Sequence, residues 1–593
     1  MSTKNSPKNS SPTHSNDKKV NFPVIIGSVA AIIAVAIVGW NMSITESRSL
    51  YVVSGFEKPA IIQLPGMEAV GIAPGKVRTI RLAEGDYEAT ISGPITNTLK
   101  FSVRTSFMDR FTKKPAWVLN VGGSALLFSE TIDPFGEQSE FTPYYGEPFV
   151  SWLNVDLPFT ELPDKIQGKK SLTRIGLFKG PVIEALVAVA RSAPPEEALN
   201  LAEWHLRLHR DDSRMLSEYV GFSQSINQGE RLQKFLIEGT EVRPVEIDWH
   251  RAYQDLLLSP EQHGSLIAEY DGLLKKDPNN SSLLYLRGRL CISQRQALDY
   301  YNKSLMTSFN NAFTHFAMAS AHAGSGEWQT ANSSIRVARS LRPDILLFQN
   351  TLFETRLAMG DYEEMEGELL KAVQQVPLDI TLNIFLGDVL AAAKKHDLAK
   401  QVCDAFESRW SQTYDQPPPK SLRSRILYSI GDFDTMVKLY AQDRNNDAQS
   451  AYFEALVELG RLEEALTISP IDDTGSADPF HFLAYATAWK LAGNEEKFQT
   501  CSKRAFEMLK STRPDFALIA DLLADNEAPD LSEVIDVPVQ PKLKAIILVY
   551  LAAKFPANKS EYADMARKLN VERSYPFHLI AKVAGTETRA DAK

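Results

Sequence analysis

Cysteine is nearly absent. Cys291, Cys403 and Cys501 are the only three in 593 residues, about a hundred apart, with no C-x-x-C pair. That excludes a disulfide framework and a cysteine-built zinc site, and the three are expected to be small, buried helix residues. Clustered positive charge is missing too. The net charge is −10, and the first twenty residues hold Lys4, Lys8, Lys18 and Lys19 against Asp17, a local +3, which leaves −13 for everything after them. A body this acidic, with no cationic stripe to displace counterions, excludes a nucleic-acid partner. Catalytic signatures are lacking as well: there is no H-E-x-x-H, no G-x-S-x-G, and no Walker or dinucleotide glycine loop. No catalytic residue, cofactor or metal is assigned, and no enzyme activity is expected. His205 and His209, four apart with Asp211 and Asp212 just beyond, have a spacing that suits two imidazoles on one metal, but no third ligand stands at a fitting distance; a packing or surface role is expected.

What is present begins with one greasy run. No residue from Val20 to Thr45 is charged, and its middle reads PVIIGSVAAIIAVAIVGW, Pro23 to Trp40. Eighteen such residues suffice to cross a bilayer as a helix. Trp40 suits the far interface, and Lys18 and Lys19 flank only the start. The positive-inside rule then keeps a short tail in the cytoplasm and sends the rest of the chain across the inner membrane. No small-x-small cleavage site follows, so the helix is expected to stay as an anchor rather than leave as a signal peptide.

Period two follows. In LKFSVRT, Leu99, Phe101 and Val103 alternate with Lys100, Ser102 and Arg104, and DYEATIS alternates through Tyr87, Ala89 and Ile91. Both read as half-buried strands. AIIQL and AWVLNV add apolar strands, and Pro74-Gly75, Glu84-Gly85-Asp86 and Gly122-Gly123 supply turns. The aromatic- and proline-rich segment Phe141 to Pro163 is expected to pack against the sheet or the next helices. The stretch IAPGKVRTIRLAEGDYEATISGP resembles the PEGA-type domains of bacterial envelope proteins, which implies a β-sandwich for adhesion or spacing.

From about Pro181 the period turns helical, and one unit recurs. GEWQTANSSIRVARSLRPD (Gly326 to Asp344) has a near-copy at Gly360 to Asp379, and Gly326/Gly360, Trp328/Tyr362, Ala338/Ala372 and Pro343/Pro377 are each 34 residues apart. Paired helices at that period resemble tetratricopeptide repeats (TPRs). Three repeats start at Ala312, Leu346 and Ile380. The small-residue positions hold Ala331, Met365 and Ala399, the bulky ones Ile335, Leu369 and Cys403, the next small ones Ala338, Ala372 and Phe406, and those in the first helices Ala319, Phe353 and Gly387. Met365, Cys403, Phe406 and Phe353 depart from the pattern. The third turn reads KKHD instead of a glycine, which puts its geometry in doubt. Weaker copies flank these three, each with glycine near the turn in ILYSIGDF, YFEALVELGR and YATAWKLAGNEE. The pairs before 280 and after 540 are expected to be terminal caps.

The expected fold is therefore α+β and multi-domain: a disordered tail (1–19), a transmembrane helix (20–43), a small antiparallel β-sandwich-like domain (44–178), and an α-solenoid of TPR-like helix hairpins (179–593). The TPR resemblance implies a protein or peptide ligand in a concave groove. By that analogy the inward positions are Phe313, Phe316, Ser320 and Ala323, then Leu347, Asn350, Glu354 and Leu357, then Thr381, Ile384, Asp388 and Ala391. Of these, Phe313, Phe316, Asn350, Glu354, Thr381 and Asp388 are the candidate partner-binding residues. Glu354 and Asp388 disfavour an acidic chaperone tail and favour an apolar or basic peptide. The expected role is a membrane-anchored extracytoplasmic scaffold. Two alternatives stand beside it: an envelope protein whose β domain binds glycan or surface-layer material with the solenoid as spacer, and an enzyme of unknown type.

Overall fold

A computed structural model describes residues 22–132, 140–161, 171–257, 259–441, 446–461, 463–465, 479–571 and 577–584. The expected tail (1–19) and the Pro163 end of the aromatic segment lie outside them. The chain forms two compact units, one ending at Leu232 and the other beginning at Gln233.

The first unit opens with the helix Phe22–Glu46. Its stretch 29–46 is long and apolar enough to cross a membrane. Ile32 and Val35 are 68% and 72% exposed, so no protein covers this apolar surface. One residue separates the helix from a run of strands: β1 (Arg48–Val53), β2 (Ala60–Gln63), β3 (Val70–Ile72), β4 (Val77–Leu82), β5 (Gly85–Ser92), β6 (Asn97–Val103), β7 (Ala116–Asn120), β8 (Leu127–Ile132), β9 (Glu140–Tyr144), β10 (Phe149–Trp152), β11 (Leu157–Pro158) and β12 (Leu172–Leu177). They form three four-stranded sheets, ordered β10-β7-β1-β4, β3-β2-β5-β6 and β11-β12-β8-β9. Most pairings are antiparallel, but β1 with β7 and β11 with β12 run parallel.

The alternating strands do what period two requires. Phe101 and Val103 of β6 and Ala89 and Ile91 of β5 face a core shared with Leu50, Val52, Trp117 and Leu119 of the first sheet. The other face of β1 and β7 carries Val53, Ala116 and Val118 into a second core with Leu127 and Ile175. Burial on both faces is why β7 reads as an unbroken apolar run. The aromatic segment packs onto the helix Pro195–Leu208: Tyr145 lies 5.3 Å from Trp204, and Trp204 Nε1 donates to Gly123 O at 3.0 Å.

Glu84 ties the end of the first helix to the sheets. Its backbone N–H donates to Thr45 O at 2.7 Å. Its carboxylate accepts from Arg48 Nη2 at 2.6 Å, Arg110 Nη2 at 2.6 Å and Thr105 Oγ1 at 2.5 Å. Burial acts to raise its pKa, but the donors on Arg110, Thr105 and Arg48 outweigh it and hold the group at about 2.

The second unit is a succession of helix hairpins. The three repeats begin where the 34-residue register puts them, in helices Ala312–Gly324, Leu346–Met359 and Ile380–Ala392. Their second helices are Trp328–Leu341, Tyr362–Gln375 and His396–Thr413. Ala319, Ala331, Ile335 and Ala338 are fully buried, as are Ala399, Cys403 and Phe406. A Cβ on Gly387 would come within 2.7 Å of Ile426, so backbones approach closely there. All three cysteines are buried and free.

The turns share one geometry. Gly326, Gly360, Gly431, Gly460 and Gly493 all take left-handed φ, between 70° and 81°. The third repeat keeps this turn without glycine: Lys394, 34 residues after Gly360, adopts φ 61°. The same bonds form around it, with Lys394 N donating to Ala391 O (3.1 Å) and Lys395 N to Leu390 O (2.8 Å), as Gly360 N does to Leu357 O and Asp361 N to Arg356 O. Packing on both sides dictates the turn, and the lysine backbone complies at a steric cost.

The C-terminal helices, expected as a terminal cap, include one that the rest of the unit surrounds. The helix Pro541–Lys554 buries every residue from Lys544 to Ala553, the mark of a helix surrounded by protein. It returns to repeat one. Lys544 Nζ donates to Gln294 Oε1 at 2.8 Å, Gly324 O at 3.1 Å and Ile535 O at 2.5 Å. Nearby, Arg295 N donates to Asp536 Oδ1 at 2.9 Å and Trp328 Nε1 to Lys568 O at 2.9 Å.

Lys394→Gly should stabilise the helical unit by about 1 kcal/mol, read as a higher denaturant midpoint at unchanged slope. A lower midpoint would show that the lysine side chain outweighs the strained backbone. Lys544→Met leaves three buried acceptors unpaired and should destabilise by about 2 kcal/mol. Burial lowers the Lys544 pKa from 10.5 to about 7, so between those values the unfolded chain binds more protons than the folded one. Stability of the parent should therefore rise with pH across that window, and the variant should lose this slope.

Candidate binding face of the helical repeats

Counted back from each turn residue, the first helices place corresponding side chains in rows. Thirteen residues back stand Phe313, Leu347 and Thr381; ten back stand Phe316, Asn350 and Ile384; six back stand Ser320, Glu354 and Asp388. The rows follow from helical periodicity, since residues three and four apart share a face.

Their exposures differ. Phe316, Ser320, Asn350, Glu354, Thr381 and Ile384 are half-buried, and Leu347 is exposed. Phe313, Ala323, Leu357, Asp388 and Ala391 are buried. Phe313 and Phe316 belong to one aromatic cluster: Phe313 meets Phe348 edge-on at 5.5 Å, and Phe316 stacks on Phe348 at 5.2 Å. The Arg251 guanidinium lies 4.9 Å from the Phe313 ring and 5.9 Å from that of Phe316, within cation–π range. It also donates to Tyr285 OH at 3.2 Å. Asn350 buries its Oδ1 with no hydrogen-bond partner among the described residues.

Asp388 is held inside the protein. Arg425 Nη2 reaches it at 2.7 Å and Nε at 3.1 Å, and Ser429 Oγ donates at 2.6 Å. At 1% exposure its charge is matched internally, so Asp388 does not bear on the ligand preference read from the two acids. The row continues beyond the three repeats. Six residues before Gly431 stands Arg425, and six before Gly460 stands Glu454. Burial pushes the Glu454 carboxyl up to about 7, against the pull of Lys542 and Arg425. Counting back from the turn glycines would have found both residues in the sequence. Arg251 carries no such signal, because its helix, Ile247–Leu256, precedes the repeats.

The rings of His205 and His209 stack at 4.7 Å. His205 bonds Asp212 at 2.9 Å, and Asp212 caps the helix Ser213–Ser225 through Met215 N. Among the described residues no group of three His, Cys, Asp or Glu side chains is placed to hold a metal ion.

No family model matches the chain, so neither resemblance gains support from that comparison. No curated protein matches it either. Among solved structures, Naa15/Naa10 bound to HypK-THB is 14% identical with a TM-score of 0.22, over 58% of each chain. A monomeric IFIT1 mutant with Gppp-AAAA is 12% identical with a TM-score of 0.29, over 65% of this chain and 88% of that one. A further IFIT1 mutant, with m7Gppp-AAAA, gives the same values. TM-scores this low carry no weight in reading this chain.

Asp388→Ala should destabilise the helical unit by about 3 kcal/mol, because it removes the buried carboxylate that Arg425 and Ser429 bond. Chemical denaturation checks this. A change below about 0.5 kcal/mol, the scale of ordinary surface substitutions, would return Asp388 to the list of residues free to meet a ligand.

Proposed function

We propose that the protein is a single-pass, membrane-anchored scaffold that binds a protein or peptide on the inward face of its helical repeats. The reading places the N-terminus in the cytoplasm and the helical unit on the far side of the inner membrane, and it assigns no catalysis. The unmatched apolar surface of the first helix supports the anchor, and Lys18 and Lys19 support its orientation.

Asn350 carries the binding half of the proposal. A buried carbonyl oxygen without a donor costs about 1–3 kcal/mol, and such exceptions call for an explanation. Here the oxygen lies in the row between Phe316 and Ile384, with Glu354 one turn along. An extended or helical peptide offers an N–H for Asn350 and apolar side chains for Phe316 and Leu347.

The test is in-membrane crosslinking of the full chain followed by partner identification. A defined partner should be recovered by the parent, lost in Glu354→Lys and Phe316→Ala, and retained in Glu363→Lys, whose site is an exposed position on the outer helix of repeat two. Equal recovery in all variants, or nothing above background, would end the proposal.

A further inference from the structure

The first unit carries an apolar edge that its own cores do not use. Phe107, Met108 and Phe111 are 49%, 67% and 41% exposed, on the short segment between β6 and β7. Trp40, on the first helix, is also exposed. The four are contiguous: Phe111 meets Trp40 edge-on at 6.5 Å and Phe107 at 5.5 Å, and Met108 adjoins Phe107.

The segment is held in place. Asn41 Nδ2 donates to Phe107 O at 3.4 Å, and Arg110 Nη1 donates to Asn41 Oδ1 at 2.6 Å. Arg110 in turn pairs with Glu84. In the helical turn Asp109–Thr112, Arg110 points to these polar partners, while Phe111, with Phe107 and Met108 just before the turn, stays exposed. That inverts the usual arrangement for a soluble domain.

Its height along the helix gives the reason. The helix continues six residues past Trp40 to Glu46, a rise of about 9 Å. The segment reaches back down by that distance to the level of Trp40. If the helix spans a bilayer, Trp40 marks the headgroup boundary, and Phe107, Met108 and Phe111 lie at the same depth. Exposed Lys113 follows them, suited to anionic headgroups.

We propose that Phe107, Met108 and Phe111 insert into the headgroup–acyl boundary of the membrane that the first helix crosses, seating the β domain flush on the lipid surface. The proposal rests on the spanning reading of that helix and adds a second lipid contact. The occupant is the bilayer itself, because the patch is continuous with the helix surface that needs lipid.

The full chain is reconstituted in vesicles of phosphatidylethanolamine and phosphatidylglycerol containing brominated acyl chains. A fluorophore is placed by Met108→Cys, by Val35→Cys in mid-helix, or by Thr98→Cys, which lies on β6 about 17 Å up the strand from Val103. The native cysteines are buried, and the labelled parent sets the background. The Met108 label should be quenched several-fold more than the Thr98 label, and most strongly by bromines near the headgroup end of the chain. Quenching at Val35 with none at Met108 would overturn the surface contact and leave the anchor standing. No quenching at Val35 would overturn both.

Discussion

Lys544 brings three oxygens together from distant parts of the chain: Gln294 at the start of a helix before repeat one, Gly324 at the end of that repeat's first helix, and Ile535 just upstream of its own helix. An ammonium has three N–H donors, and here each has an acceptor. Burying such a charge is costly, and it is tolerated only when the group is fully bonded. A repeat array ordinarily behaves as a sum of nearest-neighbour terms. Contacts spanning 220 and 250 residues add a term of another kind, because loss of either end exposes the same charge to unmet demands. The helix Pro541–Lys554, buried from Lys544 to Ala553, depends on that return. Without repeat one against it, its apolar surface on that side would face water.

Closure of this sort leaves little tolerance in the hairpins between. Each hairpin must turn in the same way to keep the rows aligned, and Lys394 shows how strong the requirement is. A residue that ordinarily avoids left-handed φ adopts it where five other turns use glycine. Gly387 makes the same point through space rather than torsion, since no larger side chain fits against Ile426. Local preference yields to the register set by packing on both sides.

The legible parts of this protein were those with a period. Alternation found β5 and β6, the 34-residue spacing placed the first residues of the three repeat helices, and the turn glycines marked the weaker hairpins. Two things without a period escaped. The parallel pairing of β1 with β7 joins segments more than sixty residues apart, and neither segment alone signals its partner. The return of the C-terminal helices is likewise a long-range event. Its trace in the sequence, a lysine inside AIILVYLAA's helix, reads as an ordinary surface residue until the helix is seen to be buried all round. The candidate face was half legible. Helical spacing set its rows, but which members stay accessible depends on neighbours: Asp388 left the face because Arg425, on the next hairpin, claims it.

That loss reshapes the electrostatics of the face. Along the row six residues before each turn, the later charges answer one another, Asp388 to Arg425 and Glu454 to Arg425 and Lys542. Asp388 and Arg425, in contact, contribute little field at a distance, and burial holds back ionisation of Glu454. Repeats one and two differ. In repeat two the amide oxygen of Asn350 has no hydrogen-bond partner among the described residues, and in repeat one Phe316 presents a half-buried ring within cation–π range of Arg251. On the proposed binding reading, selectivity requires groups whose needs the protein does not itself meet, and the Asn350 oxygen in repeat two is such a group. The later repeats lead on to the C-terminal helices, which bond back to repeat one.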